Sequence, residues 1–432
     1  MQTRQSQRQG GRRFLMLQGP HGPFFGQLAD LLRQAGAEVW RVGFNRGDQA
    51  FWRRPGYIAF TEKPALWAES CAAILDDHQI TDLILYGDSR DIHATAIGLA
   101  RDRNLRIHVF EEGYLRPYWV TYERGGSNGN SRLMALNLAD MRKALTGVRM
   151  DHLPAPATWG DMREHVFYGA LYHFFLMALN RPYRNFQPHR GIPVVQEFRL
   201  HFRRFLLMPW HRMERALASR RIKRGGFPFH VVLLQLEHDA SFRAHSDFAT
   251  MGDFIDLCLK GFADSAPQHH HLVFKVHPLE DNRIALRKLI MDGARQCGLA
   301  DRVHFVRGGK LAALLNAARS AVTVNSTSGQ QALWRGLPLR AFGRAVYNKP
   351  EFVSTQTIAE FFAAPAQPDS RAYREFRHFL LETSQVPGGF YASRSRQHLL
   401  RQVIDMVLAE TDPYDALLSG TAAPRQQLFA VV

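Results

Sequence analysis

The stretch DLILYGDSRDIHATAIGLARDRNLRIHVFEEG, residues 82–113, decides the fold. It opens with a short apolar run (DLILYGD, 82–88) and continues with a segment that repeats apolar residues at helical spacing (DIHATAIGLARDRN, 91–104). It closes with a second short apolar run, RIHVFEEG, 106–113. Strand, helix and strand in so few residues make a βαβ unit, because two parallel strands need a crossover and a helix is the usual one. Upstream the same alternation runs through FLML (14–17), FFGQLADLLRQAG (24–36, with Phe25, Leu28, Leu31 and Leu32 on one face), EVWRVGF (38–44) and ALWAESCAAILDDH (65–78). Downstream it resumes with HVVLLQLE (230–237), HLVFKVHP (271–278), RVHFV (302–306), AVTVN (321–325) and LRAFG (339–343), separated by helix-like DFIDLCLKGFADSA (253–266) and LAALLNAAR (311–319). Repeated strand–helix alternation predicts parallel sheets covered by helices on both faces. The fold class is therefore α/β with two Rossmann-like lobes and a helical basic insertion between the lobes.

Four regions follow: an N-terminal Rossmann-like lobe over 12–155, a basic aromatic linker over 156–226, a C-terminal Rossmann-like lobe over 227–365 and terminal helices over 366–432 that pack back on the lobes. The chain has 432 residues, 46% hydrophobic and 22% charged, long enough for two or three domains and excluding a disordered or collagenous chain. Its formal charge is +16, and residues 161–224 hold 13 Lys and Arg against 4 Asp and Glu, so +9 of that excess sits in the middle. Such a local excess favours a polyanionic partner without choosing among nucleic acid, an anionic membrane surface and a phosphorylated substrate. Cys71, Cys258 and Cys297 are odd in number and widely spaced, which argues against a disulfide framework or a zinc site. No signal-peptide apolar region follows the polar N-terminus, so export is not expected. The most apolar stretch, YGALYHFFLMAL (168–179), is 12 residues long, short of the roughly 20 that span a bilayer but able to lie in an interface.

In open α/β sheets ligands bind beyond the carboxyl ends of the strands, so the residues after each apolar run are the candidates. After FLML comes Gln18-Gly19-Pro20-His21-Gly22-Pro23, either an anion- or sugar-receiving loop at a helix start or a tight strand-to-helix turn. After RIHVF come Glu111, Glu112 and Gly113, where adjacent carboxylates on opposite sides of a strand leave one to act as general base; a solvated loop pair is the plainer alternative. Arg116 follows in the same loop. After HVVLLQLE, Asp239 is placed as a carboxylate nucleophile or base and Arg243 to hold an acid group, with simple helix capping by Asp239 as the alternative. After HLVFK come His277 and Pro278, where proline fixes the strand exit and imidazole can serve a phosphate oxygen, or be structural. Ser326, Thr327 and Ser328 precede a helix-like segment and offer hydroxyls and N–H groups to a phosphate, or plain N-capping. Neither G-x-G-x-x-G nor a P-loop lysine is present, which disfavours a nicotinamide cofactor and ATP hydrolysis.

On LQGPHGPFF (17–25), RVGFNRGD (41–48), ITDLILYGDSRDIHATAI (80–97), RIHVFEEGYLRP (106–117), FKVHPLED (274–281) and TVNSTSGQQALWRGLPL (323–339), the sequence resembles the capsule polysaccharide biosynthesis and export family of KpsS/LipB type. The resemblance implies a GT-B-type glycosyltransferase, a cytoplasmic β-Kdo transferase, peripheral at the inner membrane, that takes Kdo from CMP-Kdo and starts a poly-Kdo linker on a phosphatidylglycerol-type lipid, with other capsule synthesis and export proteins as partners. The acid–acid–Gly and His–Pro pairs are also similar to those of bacterial sialyltransferases. Carried over by position, Glu111 and Glu112 supply the catalytic acid/base. His277, with Pro278, Lys275, Ser326, Thr327 and Ser328, binds the CMP phosphate; Gly19, His21, Gly22, Arg116 and Arg243 fall to the sugar and acceptor. A β-linked donor giving a β-linked product means net retention, most simply by two inversions through a carboxylate adduct. Asp239 is then the nucleophile and Glu112 the base; in the other version Glu112 acts alone and Asp239 positions. No metal site and no cofactor beyond the donor are expected.

The aromatic, basic middle offers Arg199, Arg203, Arg204, Arg220 and Arg221 to anionic headgroups and Phe174, Phe175, Leu206 and Trp210 to the interface, or else it is a connector with solvated charges. Three other functions compete: a transferase or epimerase of another nucleotide-sugar class, a non-enzymatic export component that binds lipid-linked polysaccharide, and a nucleic-acid binder. The last is disfavoured because the aromatics lie in apolar clusters and the basic stretch matches no recognition module.

Overall fold

The computed structural model describes residues 11–149, 161–188, 206–280 and 282–422, with a few positions between 196 and 203. The chain divides into two compact units, Met1–Val194 with His378–Val432, and Val195–Arg377.

The first unit holds a seven-stranded sheet. Its parallel strands are β1 (Arg13–Met16), β2 (Glu38–Gly43), β3 (Tyr57–Ala59), β4 (Asp82–Tyr86) and β5 (Arg106–Glu112). From β1 the chain steps outward to β2 and β3, then returns to β4 and β5 on the other flank, so the order reverses between β1 and β4. Successive side chains alternate between the faces. Phe14 and Met16 join Phe24, Phe25, Leu28 and Leu32 of the helix Phe24–Gln34 and Leu399, Leu400 and Val403 of the helix Ser393–Leu408. Leu15 and Leu17 join Trp67, Cys71 and Leu75 of the helix Trp67–Asp77 and Ala96, Ile97 and Ala100 of the helix Asp91–Asp102.

The expectation of wholly parallel sheets is corrected here. β6 (Trp119–Arg124) pairs antiparallel with β5, and the C-terminal strand β12 (Gln385–Pro387) pairs antiparallel with β6. Five of the six residues of β6 are buried, so its sequence lacks the in–out alternation that marks an ordinary edge strand.

The second unit has a five-stranded parallel sheet: β7 (Phe229–Leu233), β8 (His271–Val276), β9 (Val303–Arg307), β10 (Ser320–Thr323) and β11 (Leu339–Ala341), in the order β11-β10-β7-β8-β9. The order reverses between β7 and β10. The helix Met251–Ser265 covers one face, with Phe254, Cys258 and Phe262 set against Val232, Phe274 and Phe305.

The middle stretch is not one insertion. The helix Asp161–Ala178 belongs to the first unit and packs on the short helix Arg46–Ala50, whereas the helix Met208–Gly225 belongs to the second and packs on β9. The terminal region is likewise shared: residues up to Arg377 stay with the second unit, and β12 with the helix Ser393–Leu408 returns to the first. The expectation for Arg204 lies outside the described residues. No helix among the described residues is long and apolar enough to cross a membrane.

Candidate functional site

Reversal of strand order opens a crevice at the carboxyl ends of the two strands that flank it, because the connections leave in opposite directions. Each unit carries such a point, at β1/β4 in the first and at β7/β10 in the second.

In the first unit the loop after β1 is a closed turn. A Cβ at Gly19 would stand 2.5 Å from the Phe25 ring, and Gly22, at φ +108°, faces the Tyr168 ring at 3.0 Å. His21 stacks on Tyr172 with centroids 4.3 Å apart, and the Tyr172 hydroxyl accepts a hydrogen bond from Asn45 Nδ2 at 2.7 Å. Gly19 thus serves close packing against the helix Phe24–Gln34 and Gly22 against the helix Asp161–Ala178. Beneath the loop, Gln18 donates to the buried Asp48 at 3.0 Å and accepts from Arg90 at 3.2 Å.

Glu111 and Glu112 end β5 inside its antiparallel pairing with β6, opposite Thr121 and Val120, rather than in a strand-to-helix loop. Both are half-buried. Glu112 Oε1 accepts from the Tyr86 hydroxyl at 3.2 Å, while the Glu112 N–H donates to Glu111 Oε1 at 3.0 Å. Glu111 Oε2 lies 3.0 Å from where a Cβ would stand on Gly87, whose φ of +69° suits glycine. Gly113 is required by backbone proximity, since a Cβ there would overlap the Trp119 carbonyl oxygen. Arg116 is exposed, with its Nε donating to the Gly113 carbonyl at 3.3 Å.

In the second unit a reciprocal amide pair spans the switch point. Gln235 Nε2 donates to Asn325 Oδ1 at 2.7 Å, and the Asn325 N–H donates to Gln235 Oε1 at 3.0 Å. Asn325 Nδ2 then holds the carbonyls of Ser241 and His245 at 3.0 and 3.1 Å, fixing the short helix Ala240–His245 over the strand ends. These two amides were missed in the sequence because their roles depend on β7 and β10 being neighbours. Asp239 is exposed and caps that helix, its Oδ1 accepting from the Ser241 N–H at 3.4 Å; Arg243 is exposed on the same helix.

At the end of β8 the His277 Nδ1 accepts from the Leu279 N–H at 3.1 Å, so a proton on the neutral ring resides on Nε2. Lys275 is buried, and burial, aided by the nearby Arg215, pushes its ammonium down to about 8. Beside Pro278 lies the Gly308–Gly309 turn that follows β9. Ser326 Oγ accepts from the Ser328 N–H at 3.2 Å, and the helix Ser328–Leu333 that follows is short, with Thr327 as its N-cap and making no side-chain cap bond. Lys275, His277, Pro278, Ser326, Thr327 and Ser328 thus all fall at the carboxyl end of one sheet. Among the described residues no group of three or more His, Cys, Asp or Glu is placed to hold a metal.

Two doubly wound α/β units with polar strand ends define a class of ligand-binding α/β folds, and sequence comparison narrows it. The model of the capsule polysaccharide biosynthesis protein family matches residues 81–391, and the chain belongs to that family. It is 28% identical over 384 residues to the capsule polysaccharide export protein KpsS of Escherichia coli, covering 88% of this chain and 97% of that protein. It is 28% identical over 394 residues to the capsule polysaccharide modification protein LipB of Neisseria meningitidis, covering 88% and 91%. Among solved structures, a β-Kdo 2,7-transferase of KpsC from Thermosulfurimonas dismutans superposes with a TM-score of 0.43 at 11% identity, covering 90% of this chain and 99% of that one.

Proposed function

We propose that the protein is a capsule glycosyltransferase that moves Kdo from CMP-Kdo to a phosphatidylglycerol-type lipid. The observation that carries this reading is the contrast between strand ends in a chain of the capsule family. The first sheet ends on paired carboxylates, Glu111 and Glu112, and the second on Lys275, His277 and the Ser326–Ser328 hydroxyls. An acidic sugar with a phosphate leaving group calls for a base toward the acceptor and cationic donors toward the phosphate.

In the mechanism proposed for the second unit the Asp239 carboxylate attacks the anomeric carbon, the bond to CMP breaks, and the departing phosphate oxygen is stabilised by His277; the acceptor oxygen, losing its proton to a base, then displaces Asp239 and restores the starting anomeric configuration. On the first unit Glu112 is the carboxylate proposed as that base. Tyr86, donating to Glu112, keeps that carboxylate oriented.

The acceptor is met at a membrane surface. On the helix Asp161–Ala178 the residues Met162, Val166, Phe167, Phe174 and Met177 form an exposed apolar face; Phe175 is half-buried. Leu206 and Trp210 are exposed in the second unit, as are Arg199, Arg203, Arg220 and Arg221. Exposed apolar side chains on the one unit and exposed arginines on the other each suit an anionic interface.

Incubation of the purified protein with CMP-Kdo and a fluorescent phosphatidylglycerol analogue should yield a lipid heavier by one Kdo residue in mass spectrometry. Turnover of a UDP-sugar but not of CMP-Kdo would overturn the donor assignment. Full capsule production by cells carrying both Glu112→Ala and His277→Ala would favour a non-enzymatic export role instead.

A further inference from the structure

Lys275 has a relative exposure of 5%, and its ammonium donates to a single carbonyl, that of Val276, at 3.2 Å. Among the described residues no carboxylate pairs with it. The like charge that acts on it is Arg215. Arg215, on the helix Met208–Gly225, lies across the turn after β9, its Cδ 2.5 Å from where a Cβ on Gly309 would stand and its Nη1 3.8 Å from one on Gly308. Both glycines are left-handed, at φ +57° and +82°, and Gly308 also borders the Cα of Pro278 at 3.7 Å. Any side chain at residue 309 would displace the arginine.

The neighbouring acid does not neutralise Arg215. Glu214 is held by Arg287 at 2.6 Å and by Arg307 at 3.4 Å, which fastens the helix to β9 and leaves Arg215 over the turn. Burial strips water from Lys275 and the partly exposed Arg215 adds a like charge nearby, an arrangement that persists where an anion completes it.

We propose that Arg215, laid over the Gly308–Gly309 turn, extends the phosphate site read at Lys275, His277 and Pro278 into a subsite to which the helix Met208–Gly225 contributes, making that helix a donor-recognition element. This rests on the reading of the second unit as the nucleotide-sugar unit, but the phosphate chemistry is common to all nucleotides. It also gives part of the basic middle stretch a role besides membrane contact.

The test is calorimetric titration of the full-length protein with CMP, cytidine, UMP and inorganic pyrophosphate. Wild type should bind CMP roughly tenfold or more tighter than cytidine, since charge-assisted hydrogen bonds to the phosphate are lost with the nucleoside. Arg215→Met and Lys275→Met should each bring CMP to the affinity of cytidine and leave cytidine unchanged, with Arg215→Lys restoring part of the difference. Arg215 lies on a helix surface, so its variant reports even where Lys275→Met fails to fold. A wild-type ratio of CMP to cytidine affinity in both methionine variants, or no binding of any phosphate probe by wild type, would overturn the subsite. Loss of pyrophosphate and UMP binding in the variants, without any preference for CMP in wild type, would leave the subsite standing and remove the CMP-sugar reading.

Discussion

Acidification should destabilise the second unit through two buried histidines. His230 and His304 are 0% and 7% exposed, and burial pushes them down to about 3 and about 4. The charged groups that face them are all basic: Arg319 and His270 toward His230, Arg221 and His271 toward His304. A folded-state value below the unfolded one means the unfolded chain binds more protons between the two. Stability is therefore complete above about pH 6.5 and falls as the pH drops toward 4. At pH 5 the unfolded imidazole is almost fully protonated and the folded one almost neutral, so each histidine withdraws about 2 kcal/mol relative to pH 7. Together they remove about 4 kcal/mol from a domain stability on the order of 5–15 kcal/mol. Glu123 in the first unit works in the opposite sense, since burial lifts it to about 8 and its contribution falls with rising pH. The measurement must therefore be local: urea unfolding at pH 7, 6 and 5 followed through Trp334, with the other tryptophans replaced by phenylalanine. His304→Gln removes one titrating ring beside His271, 2.9 Å away, and should flatten the loss by about half. A wild-type midpoint that does not move between pH 7 and pH 5, at constant denaturant slope, would refute the reasoning.

Other outcomes follow from the same structure. Glu112→Gln should cut transfer by about a hundredfold with an unchanged melting temperature, the scale of a lost general base; mass spectrometry of the trapped intermediate should place a sugar adduct on Asp239, and its repeated absence would remove double displacement. Gly113→Ala should cost about 3 kcal/mol, because the added methyl would overlap the Trp119 carbonyl, and calorimetry reads this as a lower unfolding temperature. Phe167→Ser with Phe174→Ser should weaken flotation with anionic liposomes while leaving far-UV circular dichroism intact, and unaltered flotation would exclude that face. Thiol labelling of the native protein should favour the partly exposed Cys297, since Cys71 and Cys258 are buried and burial pushes Cys71 up to about 12.

Local sequence determined most of the strands and helices. Runs such as FLML and DLILY are apolar on both faces because both faces of their sheet are covered, and the segments between them carry a helical stripe for one face only. Other such runs, RIHVF, HLVFKV and AVTVN, are followed by Glu111, His277 and Ser326, so the strand-end candidates could be found without coordinates. Strand order is a matter of long-range pairing, and no local pattern encodes it. The tertiary structure alone brought β7 beside β10, joining Gln235 to Asn325 across 90 residues of chain. It also closed the Gly19–Gly22 loop with Tyr168 and Tyr172, and laid Arg215 over Gly309. A cation in a basic helix reads as one solvated charge among many until packing shows which one lies over a turn at the strand ends.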